Sequence, residues 1–165
     1  MAIGFVRGTL DWFAKLGLTV RDDAPKTVDI AGRKWGEPVG GLTLSIQQIR
    51  KEDPAQLPAI SAAVRNVSSE LRRLELPGWL VFYSVQITGP NGEHAGLTAF
   101  GRELLKPERH QRRTVLDLAS GQAVETDIPI ASIYDMRAAG EYRVQISAKV
   151  PEGGVAVSNP ALIRV

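Results

Sequence analysis

Two carboxylates on one predicted strand have the spacing that could most directly do chemistry. Glu125 and Asp127 lie two positions apart in the segment AVETDIPI. Because side chains alternate along a strand, both point to the same face, roughly 7 Å apart. That arrangement suits a calcium ion or an acid–base pair. The opposite face carries Val124, Thr126 and Ile128, and carboxylates are seldom buried, so the pattern favours a solvated outer face over a site.

The sequence lacks the common signatures of enzymes. It has no cysteine, which excludes a disulfide framework, a thiolate metal site and a cysteine nucleophile. Its two histidines, His94 and His110, lie in polar segments without a third ligand at suitable spacing, and the pattern favours exposed loop residues. No His-Glu-x-x-His, Gly-x-Ser-x-Gly or phosphate-binding glycine loop is present. Asn66-Val67-Ser68 matches the acceptor pattern of N-glycosylation, a match that is frequent by chance. We predict no catalytic residue, no metal and no cofactor.

The segment from Gly101 to Arg113 has a marked charge imbalance. Two glutamates stand there against five basic residues: Arg102, Lys106, Arg109, Arg112 and Arg113. Such a cluster can meet an acidic protein, a lipid surface or nucleic acid. Phe100 is its only nearby aromatic residue, which disfavours single-stranded nucleic acid. We therefore predict either a solvated loop or a partner-binding surface made of these five residues.

The stretch YDMRAAGEYRVQIS, residues 134–147, is interpreted as scaffold. In immunoglobulin-like sandwiches, a tyrosine at the start of strand F bonds back to the backbone a few residues upstream. Tyr142 is the first inward residue of the alternating segment EYRVQISAKV, and we predict that structural role for it. The neighbouring predictions are that Gly140 relieves a tight backbone, Tyr134 packs at the edge of the core, Asp135 caps the turn after it, and Trp79 takes the place of the buried tryptophan of such folds.

Short strands must position these residues. Hydrophobic residues recur with a period of two in segments that begin at Leu42, Ile60, Leu71, Thr114, Ala123, Glu141 and Ala161. The segment WLVFYSVQIT, residues 79–88, is the most strand-like of the chain, and the Asn91-Gly92 that follows it suits a type I′ hairpin turn. No helices alternate with the strands, which excludes a parallel α/β fold. The pattern predicts an all-β, antiparallel β-sandwich of about seven to eight strands over residues 35–165.

The N-terminal part predicts two further segments. Residues 1–20 form an amphipathic helix in this prediction, with an apolar face that includes Phe5, Leu10 and Phe13. This helix packs on its own domain or on a second copy, or it docks on a membrane surface or a partner. Its interior charges argue against a secretory signal peptide. Residues 21–34, rich in Asp, Pro and Gly, predict a linker.

Several short motifs also resemble a known group of proteins. They follow WGEPVGGLTLSI and VRNVSSELRRL in the chain, and they are Leu118-x-x-Gly121, Tyr134-Asp135, Gly140-x-Tyr142 and Ser158-Asn159-Pro160. In order and spacing they resemble a group of largely uncharacterised bacterial immunoglobulin-like domains. Similar domains stand beside the catalytic domain in deuterolysin-like metallopeptidases, and a comparable sandwich is used by some bacterial intracellular proteinase inhibitors. The resemblance implies an immunoglobulin-like fold and, for the bacterial group, an extracytoplasmic setting; the sequence itself assigns no compartment.

The residues and the resemblance together predict a non-catalytic immunoglobulin-like module that binds another protein or serves as a structural accessory. One alternative is a proteinase inhibitor built on the same sandwich and acting through exposed loops. A second alternative is an enzyme with an unrecognised site, because one fold hosts many functions. The predicted partner is another protein, with a membrane surface or a second copy of the chain as further candidates, and nucleic acid is not favoured.

Overall fold

A computed structural model describes residues 26–27, 30–111 and 113–165 of the chain. The predicted helix of residues 1–20, with Phe5, Leu10 and Phe13, lies outside the described residues. Arg112 and the side chain of Trp79 lie outside them as well. No helix in the described part of the chain is long and apolar enough to cross a membrane.

The described chain consists mostly of strands joined by short helical turns. The strands are β1 (Lys26–Thr27), β2 (Leu42–Gln48), β3 (Ile60–Asn66), β4 (Arg72–Leu76), β5 (Ser84–Thr88), β6 (Thr114–Leu118), β7 (Ala123–Ile128), β8 (Glu141–Lys149), β9 (Val155–Val157) and β10 (Ala161–Arg164). The helices are α1 (Trp79–Phe82), α2 (Ala99–Leu104) and α3 (Ile130–Ile133), and a 3-10 turn covers Pro107–Arg109.

Antiparallel pairing arranges these strands into two main sheets. The first sheet has the order β1-β7-β3-β2. In the second sheet, β8 lies between β5 on one side and the pair β9 and β10 on the other. The inner faces of both sheets contribute to one hydrophobic core, with Leu44 and Val64 from the first and Val144 and Ile163 from the second. The described residues therefore form a sandwich, with β4 and β6 as an added two-stranded sheet.

Strand β8 confirms the alternation predicted for it. Its inward residues and the residue just after it are all buried: Tyr142, Val144, Ile146, Ala148 and Val150. The intervening residues from Glu141 to Lys149 are exposed or half-buried. A period of two is the repeat of a strand with one face on a core, so this segment could be placed from sequence alone.

The prediction of one long strand over residues 79–88 is wrong in its first half. Trp79–Phe82 form a helical turn, and the Phe82 amide donates to the Gly78 carbonyl at 2.9 Å. Gly78 adopts a φ of 147°, a conformation that favours glycine. Aromatic and β-branched residues favour strands only where they fit a pleated surface. Here the turn directs Tyr83 into the core, and the strand begins at Ser84.

The predicted type I′ turn at Asn91-Gly92 is also wrong. A type I′ turn needs a positive φ at both central residues, and among the described residues only glycines have one, including Gly92 at 82°. The hydrogen bond from the Gly92 amide to the Gly89 carbonyl, at 3.0 Å, makes Pro90 and Asn91 the central residues of the turn. The fixed negative φ of proline suits the first central position of such a turn.

Asn66 joins the first sheet to the two-stranded sheet. Its side chain is fully buried, and its amide nitrogen donates to the carbonyls of Glu70 at 2.7 Å and Leu118 at 2.9 Å. Its side-chain oxygen accepts from the Ser68 amide at 2.9 Å and from the Ser68 hydroxyl at 2.7 Å. All four hydrogen-bonding positions of the carboxamide are thus used where β3 leads into β4 and β6 leads into β7.

Candidate functional site

The basic segment is more ordered than the connection predicted from sequence. It contains α2, whose first turn is capped by Thr98, where the hydroxyl oxygen accepts a hydrogen bond from the Gly101 amide at 2.9 Å. The 3-10 turn Pro107–Arg109 follows. The cations of the segment lie on the surface. Arg102 of α2, Arg109 of the 3-10 turn, and Lys106 and Arg113 outside these two elements are all exposed.

Neighbouring carboxylates neutralise much of this cluster. Glu103 binds Lys106 at 2.5 Å and Arg109 at 2.6 Å. The hydrogen bonds from these two side chains, Lys106 first, lower the pKa of Glu103. Arg113 pairs with Glu75 of β4 at 3.2 Å, and the Arg102 guanidinium donates to the Leu97 carbonyl at 2.7 Å. The positive field here is therefore smaller than the residue count of the sequence suggests.

The loop before β8 holds the tyrosine contact that was predicted as scaffold. Tyr142 is buried, and its hydroxyl donates to the Ala138 carbonyl at 2.9 Å. Gly140 has a φ of 141°, and a Cβ there would lie 2.6 Å from the Pro90 ring. Tyr134 packs partly buried against the core, and burial raises its pKa.

Asp135 stabilises the turn that follows it. Its carboxylate accepts from the Arg137 amide at 3.3 Å and from the Arg137 guanidinium at 2.8 and 2.6 Å. The side-chain hydrogen bond from Arg137 is the main cause that lowers the pKa of Asp135. The carboxylate is thus held in its charged form by its own turn.

An open groove of about 580 Å³ lies between this loop and residues 89–96. His94, Glu93, Asp135 and Tyr142 are among its lining residues. Asp135 is engaged by Arg137, and Glu93 accepts a hydrogen bond from the Asn91 side chain at 3.0 Å. Within the described ranges, no group of three or more His, Asp or Glu residues is placed to hold a metal ion. The polar groups of the groove mainly stabilise its two walls.

Glu125 and Asp127 do not form the pair that their spacing suggested. The Glu125 carboxylate binds the Arg33 guanidinium at 2.5 Å and the Ser61 hydroxyl at 2.9 Å. The Arg33 side chain is only 2% exposed and that of Glu125 27% exposed, whereas Asp127 is exposed. The expectation of a solvated face holds for Asp127 and is wrong for Glu125, because residues just before β2 cover this face of the first sheet. Within the stretch predicted as linker, Arg33 thus packs on the sheet and Lys26–Thr27 pair with β7.

The end of the chain exposes four large apolar side chains. Half of the exposed large hydrophobic residues of the described chain lie in its last eleven residues: Val155 at 51%, Val157 at 40%, Leu162 at 60% and Val165 at 42%. Val155 and Val157 belong to β9 and Leu162 to β10, which lie in line beside β8. We call the outer surface formed by β9 and β10 the terminal edge.

Cations flank the terminal edge. Lys149 of β8 is opposite Val155, and Arg143 is opposite Leu162. Arg164 of β10 is also exposed, and its guanidinium lies 3.6 Å from the Glu141 carboxylate. Three cations and a single carboxylate therefore share this face of β8 to β10. Strand β9 is not among the segments predicted from sequence, although the alternation of Val155, Ala156 and Val157 is a readable signal.

Comparisons with known proteins identify no family for the chain. The sequence matches no protein-family model and no curated protein. Among solved structures, the chain is similar to the GAE domain of GGA2p from Saccharomyces cerevisiae, with 13% sequence identity and a TM-score of 0.26. That match covers 81% of this chain and 96% of the GAE domain. A likeness at this level carries no information about activity or partners.

Proposed function

We propose that this chain is a non-catalytic, immunoglobulin-like domain that binds another protein through the terminal edge. The observation that carries the proposal is that three apolar side chains of β9 and β10 are exposed on the same face of the second sheet: Val155, Val157 and Leu162. Contiguous exposed apolar surface with a polar rim is typical of interaction sites, whereas single exposed apolar residues are ordinary. The remaining exposed large hydrophobic residues are spread over other loops and strands: Leu57, Val67, Leu71 and Val115.

Strand order supports the immunoglobulin-like part of the proposal. The order β2-β3-β7 corresponds to strands A, B and E of such a sandwich, and β5-β8-β10 corresponds to C, F and G. The Tyr142 hydroxyl donates to a carbonyl four residues upstream, and this supports the assignment because a tyrosine at the start of strand F bonds to the backbone a few residues upstream. In this chain, β1 takes the place beside E, and β6 pairs with β4 instead.

The terminal edge supports protein binding better than the basic segment does. Glu103 pairs with Lys106 and Arg109, and Glu75 pairs with Arg113, so most of the positive charge of the basic segment has a carboxylate beside it. At the terminal edge, the apolar side chains have no comparable cover among the described residues, and burying apolar area is the main driving force of association. The basic segment remains a second surface to which an acidic partner could add contacts.

A pull-down from the lysate of the source organism tests the proposal. The full chain serves as bait beside the double variant Val157→Asp/Leu162→Asp, with bound proteins quantified by mass spectrometry. The matched control is Leu57→Asp/Val115→Asp, which adds the same charges at exposed apolar positions elsewhere. We expect the amount of at least one bound protein to fall about tenfold or more with the Val157→Asp/Leu162→Asp variant (the edge variant). This corresponds to a loss of about 1.4 kcal/mol of binding free energy. The control should retain the same protein.

Two results would contradict the proposal. If both variants retain the same proteins as the wild type, the terminal edge is not the binding surface. If the bound partner is a protease whose activity falls stoichiometrically with added chain, the inhibitor alternative replaces the accessory role. Thermal unfolding of each bait establishes that all of them are folded.

A further inference from the structure

We propose that β10 binds an extended, acidic peptide segment of the partner as an added strand of the second sheet. This inference rests on the proposed function and names the chemistry of the partner. Three observations support it: the direction of the backbone groups of β10, the cover over the outward backbone groups of β9, and the charges beside Leu162.

The backbone of β10 presents donors and acceptors away from β8. Val165 and Gly140 exchange both of their backbone hydrogen bonds, at 3.0 and 3.1 Å. Directly opposed residues of an antiparallel pair alternate between bonded and non-bonded positions. Ile163 and Ala161 are therefore the bonded residues, and the amides and carbonyls of Leu162 and Arg164 point outward. Within the described ranges, no loop or other strand bonds to these four groups.

The backbone groups of β9 that point away from β8, by contrast, are covered. The Ser158 amide donates to the Ile146 carbonyl at 2.9 Å, so the backbone groups of Val157 point away from β8. The Val157 carbonyl oxygen lies only 1.9 Å from the position that a Cβ of Gly36 would occupy. The Asn159 side chain bonds both the amide and the carbonyl of Ile46 in β2. These contacts close the gap between β2 and β9. Strand β2 also packs against β10, but none of its backbone groups bonds to Leu162 or Arg164, so these groups remain for a further strand.

Charge indicates what kind of strand fits. An added strand would place alternate side chains beside Leu162 and Arg164. This face also carries Arg143, opposite Leu162, and Glu141, which lies 3.6 Å from the Arg164 guanidinium. An apolar residue packs on Leu162, and an acidic residue two positions away meets Arg164, because opposite charges across a strand pair stabilise it. Main-chain hydrogen bonds supply affinity in such strand addition, and alternate side chains supply specificity. The predicted partner segment therefore carries an apolar and an acidic residue two positions apart.

The test uses two synthetic probes and the ¹⁵N-labelled full chain. The first probe is acetyl-TVTETVTETV-amide, and the second replaces each glutamate by lysine. We expect the acidic probe to shift the amide signals of Leu162 and Arg164, with binding that weakens as salt is raised. We expect the lysine probe to bind at least about tenfold more weakly. Equal binding of both probes, or no shift with either at millimolar concentration, would overturn the inference.

Backbone pairing has its own controls. An acidic probe that is N-methylated at alternate residues cannot donate to the edge, and we expect about tenfold weaker binding from lost hydrogen bonds. Leu162→Pro removes the outward amide without removing a bond to β8, whereas Leu162→Ala removes the side chain and keeps the amide. The inference requires a larger loss with proline than with alanine, and the methylated probe provides the same test if the proline variant does not fold.

Failure of this inference can be distinguished from failure of the proposed function. If the pull-down partner is lost from the edge variant but neither probe binds, the surface is correct and the acidic strand is wrong. If the Leu162 and Arg164 signals shift with protein concentration alone, the occupant is a second copy of the chain, which also overturns the inference. Loss of no partner together with no probe binding overturns both.

Discussion

Replacing Asn66 by leucine should strongly destabilise the domain. The variant fills a similar volume but removes four side-chain hydrogen bonds from a fully buried position. The Ser68 hydroxyl also reaches the Glu70 carbonyl at 3.1 Å, so the groups that lose most are the Leu118 carbonyl and the Ser68 amide. A buried polar group without a partner costs about 1–3 kcal/mol, which gives about 2–6 kcal/mol for the pair. Typical domains have only about 5–15 kcal/mol in total.

Urea unfolding followed by circular dichroism measures this loss. With an m-value of about 2 kcal/mol per molar urea, the midpoint should fall by about 1–3 M. Gln111→Ala, at an exposed position, is the control and should change the stability by about 0.5 kcal/mol or less. A leucine variant as stable as this control would refute the reasoning that the carboxamide holds the strands together at β3.

The pH dependence of the stability of an Asn66→Asp variant tests the same contacts. A carboxylate oxygen would face the two carbonyls that now accept hydrogen bonds from the amide, which favours the protonated acid. The folded-state pKa of the introduced acid would lie above its unfolded value of about 3.9. The stability of the variant relative to the wild type should therefore be greatest at low pH and fall as the pH rises through the folded pKa. A difference that does not change between pH 4 and pH 7 would contradict the contact geometry.

Three further predictions test other contacts. Tyr142→Phe should cost about 1 kcal/mol, measured by urea unfolding, because one hydrogen bond to a loop carbonyl is lost, while partner binding stays unchanged. Gly36→Ala should cost about 1–3 kcal/mol or more, since its Cβ would collide with a β9 carbonyl, whereas Gly96→Ala, with open space around it, should be nearly neutral in the same assay. Arg137→Gln should raise the pKa of Asp135 toward its ordinary value, which NMR titration of the carboxyl would show. Because the pKa of Asp135 is depressed in the folded state, the Asp135–Arg137 pair stabilises the fold above the unfolded pKa of about 3.9. This stabilisation is lost as the pH falls through the folded pKa.

Periodicity predicted where several strands begin, whether one face of the strand is buried or both. The predicted segments beginning at Leu42, Ile60, Thr114 and Glu141 begin strands at those residues. Local composition failed at residues 79–82, where strand-forming residues occupy a helical turn. That turn depends on the conformation of Gly78 and on how Tyr83 reaches the core, and neither can be read from residues 79–88 alone.

The polar contacts were harder to predict than the strands. Arg33 and Glu125 are 92 positions apart, and no spacing rule links them. The charge count of the basic segment was readable, but its pairing with Glu75 depends on β4 lying beside β6. The terminal edge could not be predicted because its exposed apolar residues alternate with buried apolar residues. The sequence does not say which of the two sets is exposed, and the position of β9 beside β8 decides it.

The burial of Asn66 has a consequence for producing the protein in a eukaryotic secretory host. Asn66-Val67-Ser68 is an N-glycosylation acceptor sequence, yet both hydrogens of its amide nitrogen are engaged inside the fold. A sugar could therefore be attached only before β3 and β6 come together. Once attached, it would occupy the space of the Leu118 carbonyl. Glycosylation and folding would compete for the same nitrogen, so the sugar-bearing fraction of such a preparation would be the misfolded fraction.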